Sequence, residues 1–369
     1  MAKRKVRFAV VGLGYFAQRA ILPAFQHARK TAELTAFVSS DPKKLRKLAR
    51  RYGVKHTVGY DALEELCRTD VIDAVYIATP NHTHRALVER VAPHGVHVLV
   101  EKPMAVTEED CEAMIGACAE NQCKLMVAYR LHFEGANLSA IDLVSKGRIG
   151  EPRFMTSTFS FQVASPNIRV NPRAEGGGPL YDIGAYCINA ARYIFRDEPT
   201  EVVALSARGD DDRFANVEEQ VSAILRFPGE RLAQFTVGFG AESTGFYEIV
   251  GTKGKLRVDP AYEYRDSLAL ELSVGDKKPK RKKFKAHDQI GPEIEYFSEC
   301  ILDGRDPEPS GIEGLADVRV IRALYRSIDE RRPVALGALD KSDRPGKQQE
   351  RSAPPQRGEA PTVNVRPES

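Results

Sequence analysis

The chain has 369 residues, is 42% hydrophobic and 28% charged, and carries a net charge of +3 from 54 basic and 51 acidic side chains. That length implies about two domains whose cores need no disulfide or structural metal, and so even a charge balance gives no footprint for nucleic acid or another polyanion. No run approaches the ~18 apolar residues of a membrane span, the stretch after MAKRK is too short for a secretory signal, and six cysteines without a CxxC pair are expected to be free thiols in a reducing cytoplasm.

The first third alternates strand and helix. Strands are predicted at Val6–Val11, Leu34–Ser39, Ala74–Ala78, Val96–Val100 and Leu125–Ala128, with helices at Pro42–Tyr52, His84–Ala92 and Glu108–Asn121. Short apolar runs without alternation are the mark of strands buried on both faces, hence of a doubly wound parallel sheet. Beyond Tyr129 the pattern changes. A helix at Phe133–Lys146 precedes longer alternating strands at Arg153–Val163, Glu201–Ala207, Val217–Phe227, Leu232–Phe239 and Phe246–Val250. These predict an antiparallel sheet with one polar face, covered on the other by helices at Leu180–Phe195, Ile294–Leu302 and Ile312–Asp329. The fold class expected is α/β: a Rossmann doubly wound parallel sheet over 1–129, then an α+β domain over 130–337 with a large, mostly antiparallel open sheet. The remainder, 338–369, is polar and proline-rich without periodicity and is expected to be disordered. The basic run Lys277–Lys285, KKPKRKKFK, reads as a solvated hairpin tip, since no recognition helix accompanies it.

The first strand leads into Gly12-Leu13-Gly14-Tyr15-Phe16-Ala17, a GxGxxA element between strand and helix. The first glycine suits a tight turn, the second close approach of backbone amides to a pyrophosphate, and the small Ala17 close packing of the helix. A carboxylate about 20 residues on would bind the ribose hydroxyls of NAD. Here the second strand ends in Ser39-Ser40, and Asp41 comes late, as a helix N-cap before Pro42. Two hydroxyls with Lys44 nearby favour a 2'-phosphate, so NADP is expected over NAD.

In an open parallel sheet the loops at the carboxyl ends of the strands line the ligand crevice. Thr79, Pro80, Asn81 and His84 of ATPNHTH fall there, as candidates for the nicotinamide half. The histidines of this region have no carboxylate or thiol to complete a coordination sphere, so no metal is expected. EKPM also falls there. Its Glu101 and Lys102 end an apolar strand, where a charge needs a partner or a task. Lys102 can hydrogen-bond a substrate hydroxyl or lower a neighbour's pKa. In the second domain, GGGPLYDIGAY places Asp182 and Tyr186 four residues apart on one helix. A tyrosine beside the ammonium could exchange a proton with an alcohol; taken alone, the pair is equally compatible with a core tyrosine near a helix start.

Through GLGYFAQ, ATPNHTH, EKPM, AYRLHFE, GGGPLYDIGAY and GIEGLADVRVI, over about residues 5–336, the chain resembles the Gfo/Idh/MocA oxidoreductases. The resemblance implies that Lys102 is the catalytic lysine and that Asp182 and Tyr186 belong to a DxGxH/Y element. Tyrosine at that place is similar to the glucose-fructose oxidoreductase and dihydrodiol or xylose dehydrogenase branch. It also implies Arg130 beside the nicotinamide, Arg169 at the mouth of the substrate site, and a homodimer or homotetramer built through the open sheet. The activity implied is NADP-dependent hydride transfer to or from a sugar or cyclic polyol. The alternatives are a trans-dihydrodiol or xylose dehydrogenase, or a non-catalytic nucleotide-binding regulator of sugar genes.

Overall fold

The computed structural model describes residues 4–356 and 361–365. The chain divides into two compact units. The first takes the chain to Arg130, returns for Asp288–Leu315, and includes the described part of the chain from Ala353 on; the second takes Leu131–His287 and Ala316–Ser352.

The first unit is a six-stranded parallel sheet of β1 (Val6–Val11), β2 (Ala32–Val38), β3 (His56–Val58), β4 (Ala74–Ile77), β5 (His97–Glu101) and β6 (Leu125–Ala128). Its order is β3-β2-β1-β4-β5-β6. The order reverses between β1 and β4, which makes the ends of those strands the expected ligand crevice. β6 is apolar throughout, β4 apolar but for the Tyr76 hydroxyl and β1 apolar from Phe8 to Val11, as strands covered on both faces must be. The short β3 has only one half-buried residue and two exposed ones, so no apolar run announces it. One expectation is corrected. The helix containing Ile294–Leu302 spans Ile290–Asp303 and covers the parallel sheet, not the second one: its Phe297 ring lies 6.3 Å from that of Phe8 in β1.

The second unit holds a nine-stranded sheet: β7 (Pro152–Ser160), β8 (Glu201–Ala207), β9 (Gln220–Phe227), β10 (Arg231–Gly238), β11 (Thr244–Gly251), β12 (Gly254–Val258), β13 (Leu268–Val274), β14 (Lys280–Phe284) and β15 (Val334–Ala335). The order is β14-β13-β12-β11-β7-β10-β9-β8-β15, antiparallel except for the pairing of β7 with β10. β9 alternates strictly between exposed and buried residues, as a sheet covered on one face must. The basic run forms the turn and outer strand of the β13–β14 hairpin; charge on an edge strand discourages pairing with another chain.

The disordered tail is also corrected for its described part. Arg344 donates to Glu198 at 2.5 Å and Lys347 to Ser139 at 2.9 Å, so this stretch is tied to the second unit. Gln356 donates to the carbonyl of Ala20 in the first unit at 2.9 Å. Residues 357–360 and 366–369 lie outside the described residues. A polar segment that cannot build a core of its own is held here by hydrogen bonds to groups already fixed elsewhere.

Arg192 anchors the second unit. It is fully buried and reaches Asp317 at 2.6 Å and Glu198 at 2.7 Å. Removing one partner of a buried pair strands the other charge. Arg192→Ala is expected to cost about 3–5 kcal/mol in urea unfolding followed by circular dichroism; a loss under about 1 kcal/mol would show that Asp317 finds another partner.

Candidate active site

The glycine loop is fixed by backbone contact. Gly12 has φ +94°, and a Cβ there would stand 2.4 Å from the Ala78 carbonyl oxygen at the end of β4. Only glycine fits both the conformation and the space. A Cβ on Gly14 would meet nothing within 4 Å, so the side of the loop where a pyrophosphate is expected is open. Helical backbone begins directly afterwards, at Tyr15 and Phe16. Backbone amides and the positive end of the helix dipole favour an anion at such a place. The residues present therefore fit a dinucleotide.

At the end of β2, Ser39 is buried and its hydroxyl accepts from the Asp41 amide at 3.2 Å, while Ser40 is exposed. Both border a cavity of about 470 Å³. Asp41 caps the helix Pro42–Tyr52, its Oδ1 accepting from the amides of Lys43 at 2.8 Å and Lys44 at 3.2 Å. Its Oδ2 accepts from Asn364 at 2.5 Å. These hydrogen bonds, that of Asn364 foremost, hold the carboxyl below its ordinary range. With Oδ1 committed to the helix start and Oδ2 already accepting from Asn364, a ribose hydroxyl of NAD would have to share Oδ2.

Thr79, Pro80 and Asn81 follow β4 and are half-buried. His84 is fully buried, with Nε2 3.0 Å from the Thr79 carbonyl oxygen and Nδ1 3.0 Å from that of Met104. Burial lowers its pKa against the pull of the two carbonyls; the neutral ring donates its one N–H to one of them and packs against the other. His84 thus works as a strut between the ATPNHTH and EKPM loops and not as a surface for ligand.

EKPM ends β5, and the Lys102–Pro103 bond is cis. Its glutamate has a partner that sequence reasoning did not find. The Tyr76 hydroxyl of β4 donates to Glu101 Oε1 at 2.8 Å and lies 3.3 Å from Glu293 Oε2, on the helix Ile290–Asp303. Arg130 is buried and donates to Gln289, the N-cap residue of the same helix, at 2.5 Å. A hydroxyl has one proton to give. With Tyr76 donating to Glu101, the Glu293 carboxyl must carry its own proton to satisfy the contact. The electrostatics agree: burial first, and the Glu101 charge second, push Glu293 well above the carboxylate range. Burial also raises Glu101 to about 7, opposed chiefly by Lys102 and the Tyr76 hydrogen bond.

In the second unit, Asp182 lies in a π-helical turn, Leu180–Gly184, that runs into the α-helix Ala185–Phe195 carrying Tyr186. From Gly176 to Phe195 every residue is buried except these two. They are therefore the polar groups that this rod presents. Arg169 donates to Asp182 at 2.6 Å, and the Tyr186 ring packs against Phe159 and Tyr262 at 5.6 and 5.9 Å. The glycine run before the helix serves the fold: a Cβ on Gly177 would stand 1.9 Å from the Asn171 carbonyl oxygen.

Residues 6–129 match the oxidoreductase family with an NAD-binding Rossmann fold, and 138–257 match the GFO/IDH/MocA C-terminal domain. The chain belongs to the GFO/IDH/MocA oxidoreductase family. A D-xylose 1-dehydrogenase [NADP(+)] of Haloarcula marismortui is 35% identical over 90% of this chain and 93% of its own. The crystal structure of an aldose-aldose oxidoreductase from Caulobacter crescentus, complexed with glycerol, is 38% identical, covers 90% of this chain and all of its own, and superposes with a TM-score of 0.86. That of KijD10, a 3-ketoreductase from Actinomadura kijaniata in complex with NADP and TDP-benzene, is 26% identical over 88% of this chain and 98% of its own, with a TM-score of 0.80.

Within this GFO/IDH/MocA chain the partners missed from the sequence are Tyr76, Glu293 and Gln289. Tyr76 carried the one legible signal, a hydroxyl inside an otherwise apolar strand buried on both faces. Glu101 has a consequence for stability. A carboxyl raised from 4.5 to about 7 by folding stabilises the protein fully below pH 4.5, and this is lost as pH rises towards 7. Glu101→Gln should remove roughly 2–3 kcal/mol of that decline. Urea midpoints measured from pH 5 to 8 would show a flatter profile for the variant; parallel profiles would mean that Glu101 titrates normally.

Proposed function

We propose that the protein is an NADP-dependent oxidoreductase acting on the C1 carbinol of aldoses. The observation that carries this reading is the near full-length similarity to an NADP-dependent xylose dehydrogenase and an aldose-aldose oxidoreductase, in a chain that retains Lys102 of EKP and Tyr186 of DxGxY. The engaged Asp41 and the Ser39–Ser40 strand end support NADP over NAD.

When bound, NADP supplies the hydride acceptor, C4 of its nicotinamide. The protein supplies orientation and proton transfer. Tyr186 exchanges the proton of the sugar hydroxyl whose carbon loses hydride, and the Lys102 ammonium stabilises the developing alkoxide. Reduction runs the same steps in reverse. Asp182, held by Arg169, accepts from a neighbouring sugar hydroxyl and fixes the ring. Glu101, held by Tyr76, fixes the end of β5 from which Lys102 follows. General acid–base help of this kind is worth about 10²–10⁴-fold. Lys102→Ala and Tyr186→Phe are therefore expected to lower turnover with aldoses by about 10²–10⁴-fold at unchanged melting temperature. Near-normal turnover in both variants would sink the mechanism, and a wild-type protein that binds NADP yet turns over no aldose would favour the regulator instead.

The assembly proposed is a homodimer or homotetramer through the open face of the nine-stranded sheet. Phe154 (48% exposed), Leu205 (72%), Ile224 (43%) and Leu232 (43%) lie on that face, with Phe154 opposite Leu232 and Leu205 opposite Ser222, two residues from Ile224. An apolar patch on a regular sheet is suited to a second copy of itself. Leu205→Glu with Leu232→Glu should shift the mass found by light scattering to that of a monomer; an unchanged oligomer would place the interface elsewhere.

A further inference from the structure

The end of the chain lies on the nucleotide-binding elements of its own unit. Asp288 donates its amide to the Ala353 carbonyl at 3.2 Å. Gln356 donates both to the Ala20 carbonyl at 2.9 Å and to Asp288 Oδ1 at 3.1 Å. Further on, Val363 is buried and is gripped by the side chain of Gln18. The Val363 amide donates to Gln18 Oε1 at 2.7 Å, and Gln18 Nε2 donates to the Val363 carbonyl at 3.0 Å. The same Nε2 donates to the carbonyl of Leu13, inside the glycine loop, at 3.0 Å. One residue later Asn364 donates to Asp41 Oδ2. Two of the elements that surround a dinucleotide, the loop after β1 and the end of β2, are thus tied to consecutive residues of a single segment.

The Gln18 contact is not incidental. Gln18 is only 2% exposed, so its amide must be satisfied within the protein. The tail backbone satisfies both ends of it, as a neighbouring strand would. At Asp41 the effect is on charge placement. One oxygen is committed to the helix start and the other already accepts from Asn364, so a ribose hydroxyl would have to share that oxygen. Freed of Asn364, Oδ2 could accept from a ribose hydroxyl without sharing.

We propose that residues 353–356 and 361–365 belong to a strap that is part of the nucleotide site, with Val363 on Gln18 fixing the glycine loop and Asn364 setting the preference for NADP by holding Asp41. This rests on the NADP-dependent reading above. The strap rigidifies the loop before ligand arrives, which lowers the ordering cost of binding, and it makes the ribose of NAD share its carboxylate. Aldehyde and hydride chemistry are untouched by it.

The test is direct binding, read from nicotinamide fluorescence. NADPH and NADH are titrated into the full chain, into Asn364→Ala and into a chain ending at Ser352, and the release rate of NADPH is followed on mixing with excess NADP+. The full chain is expected to prefer NADPH, Asn364→Ala to lose about tenfold of that preference, and the shortened chain to release NADPH at least about tenfold faster. If removal of the strap prevents folding, Gln18→Ala takes its place in the release experiment with the same expectation. A full chain that prefers NADPH, with variants whose preference and release are unchanged, overturns the strap alone. A full chain that binds neither nucleotide, or prefers NADH, overturns the NADP reading on which it rests.

Discussion

One tyrosine hydroxyl holds the reacting end of the parallel sheet in place. Tyr76 in β4 meets Glu101 at the end of β5 and Glu293 on a helix that the chain adds more than 180 residues later. Two carboxyls about one hydroxyl cannot both stay charged in a site poor in water. One keeps its proton, and the three groups then form a single directed chain from Glu293 through Tyr76 to Glu101. That chain bolts a helix to two adjacent strands at the place where the backbone turns into Lys102. Lysine on a free loop would sample many positions; lysine after a residue held in this way starts from a fixed one. The charge that the apolar strand carries into the interior is balanced locally by Lys102 and Arg130.

A second constraint acts at the other side of the crevice. Gly12 abuts the Ala78 carbonyl and Gln18 closes on Leu13, so the loop after β1 is set by packing against β4 and by the returning tail. His84 performs a similar service between the loops after β4 and β5. The nucleotide half of the protein is thus a set of strand ends joined sideways by buried polar side chains. The second unit is built differently. From Gly176 to Phe195 only Asp182 and Tyr186 are not buried, and Arg169 pairs with the first of them.

Much of this was legible in the sequence, and the failures are instructive. β1, β6 and the helix Pro42–Tyr52 follow from the apolar runs Phe8–Val11 and Leu125–Ala128 and from an Asp-Pro helix start, all local signals. Glycine spacing and EKPM located the strand ends. The helix Ile290–Asp303 was seen but assigned to the wrong sheet, because amphipathicity says that a face is buried and not against what. The tail read as disordered because composition measures the capacity to build a core, whereas this segment uses hydrogen bonds offered by Gln18, Asp41 and Glu198. Glu293 was invisible for a related reason. Its role is set by Tyr76, 217 residues away, and no spacing rule reaches that far.

The most direct measurement is the path of the hydride. The protein is incubated with NADP+ and a panel of aldoses deuterated at C1, D-xylose and D-glucose among them, and the nicotinamide is read by mass spectrometry. The account predicts one deuterium at C4 of NADPH for each sugar oxidised, and less label in parallel reactions with NAD+. A nicotinamide that stays unlabelled with every aldose, or that takes up deuterium with NAD+ and not with NADP+, would contradict it.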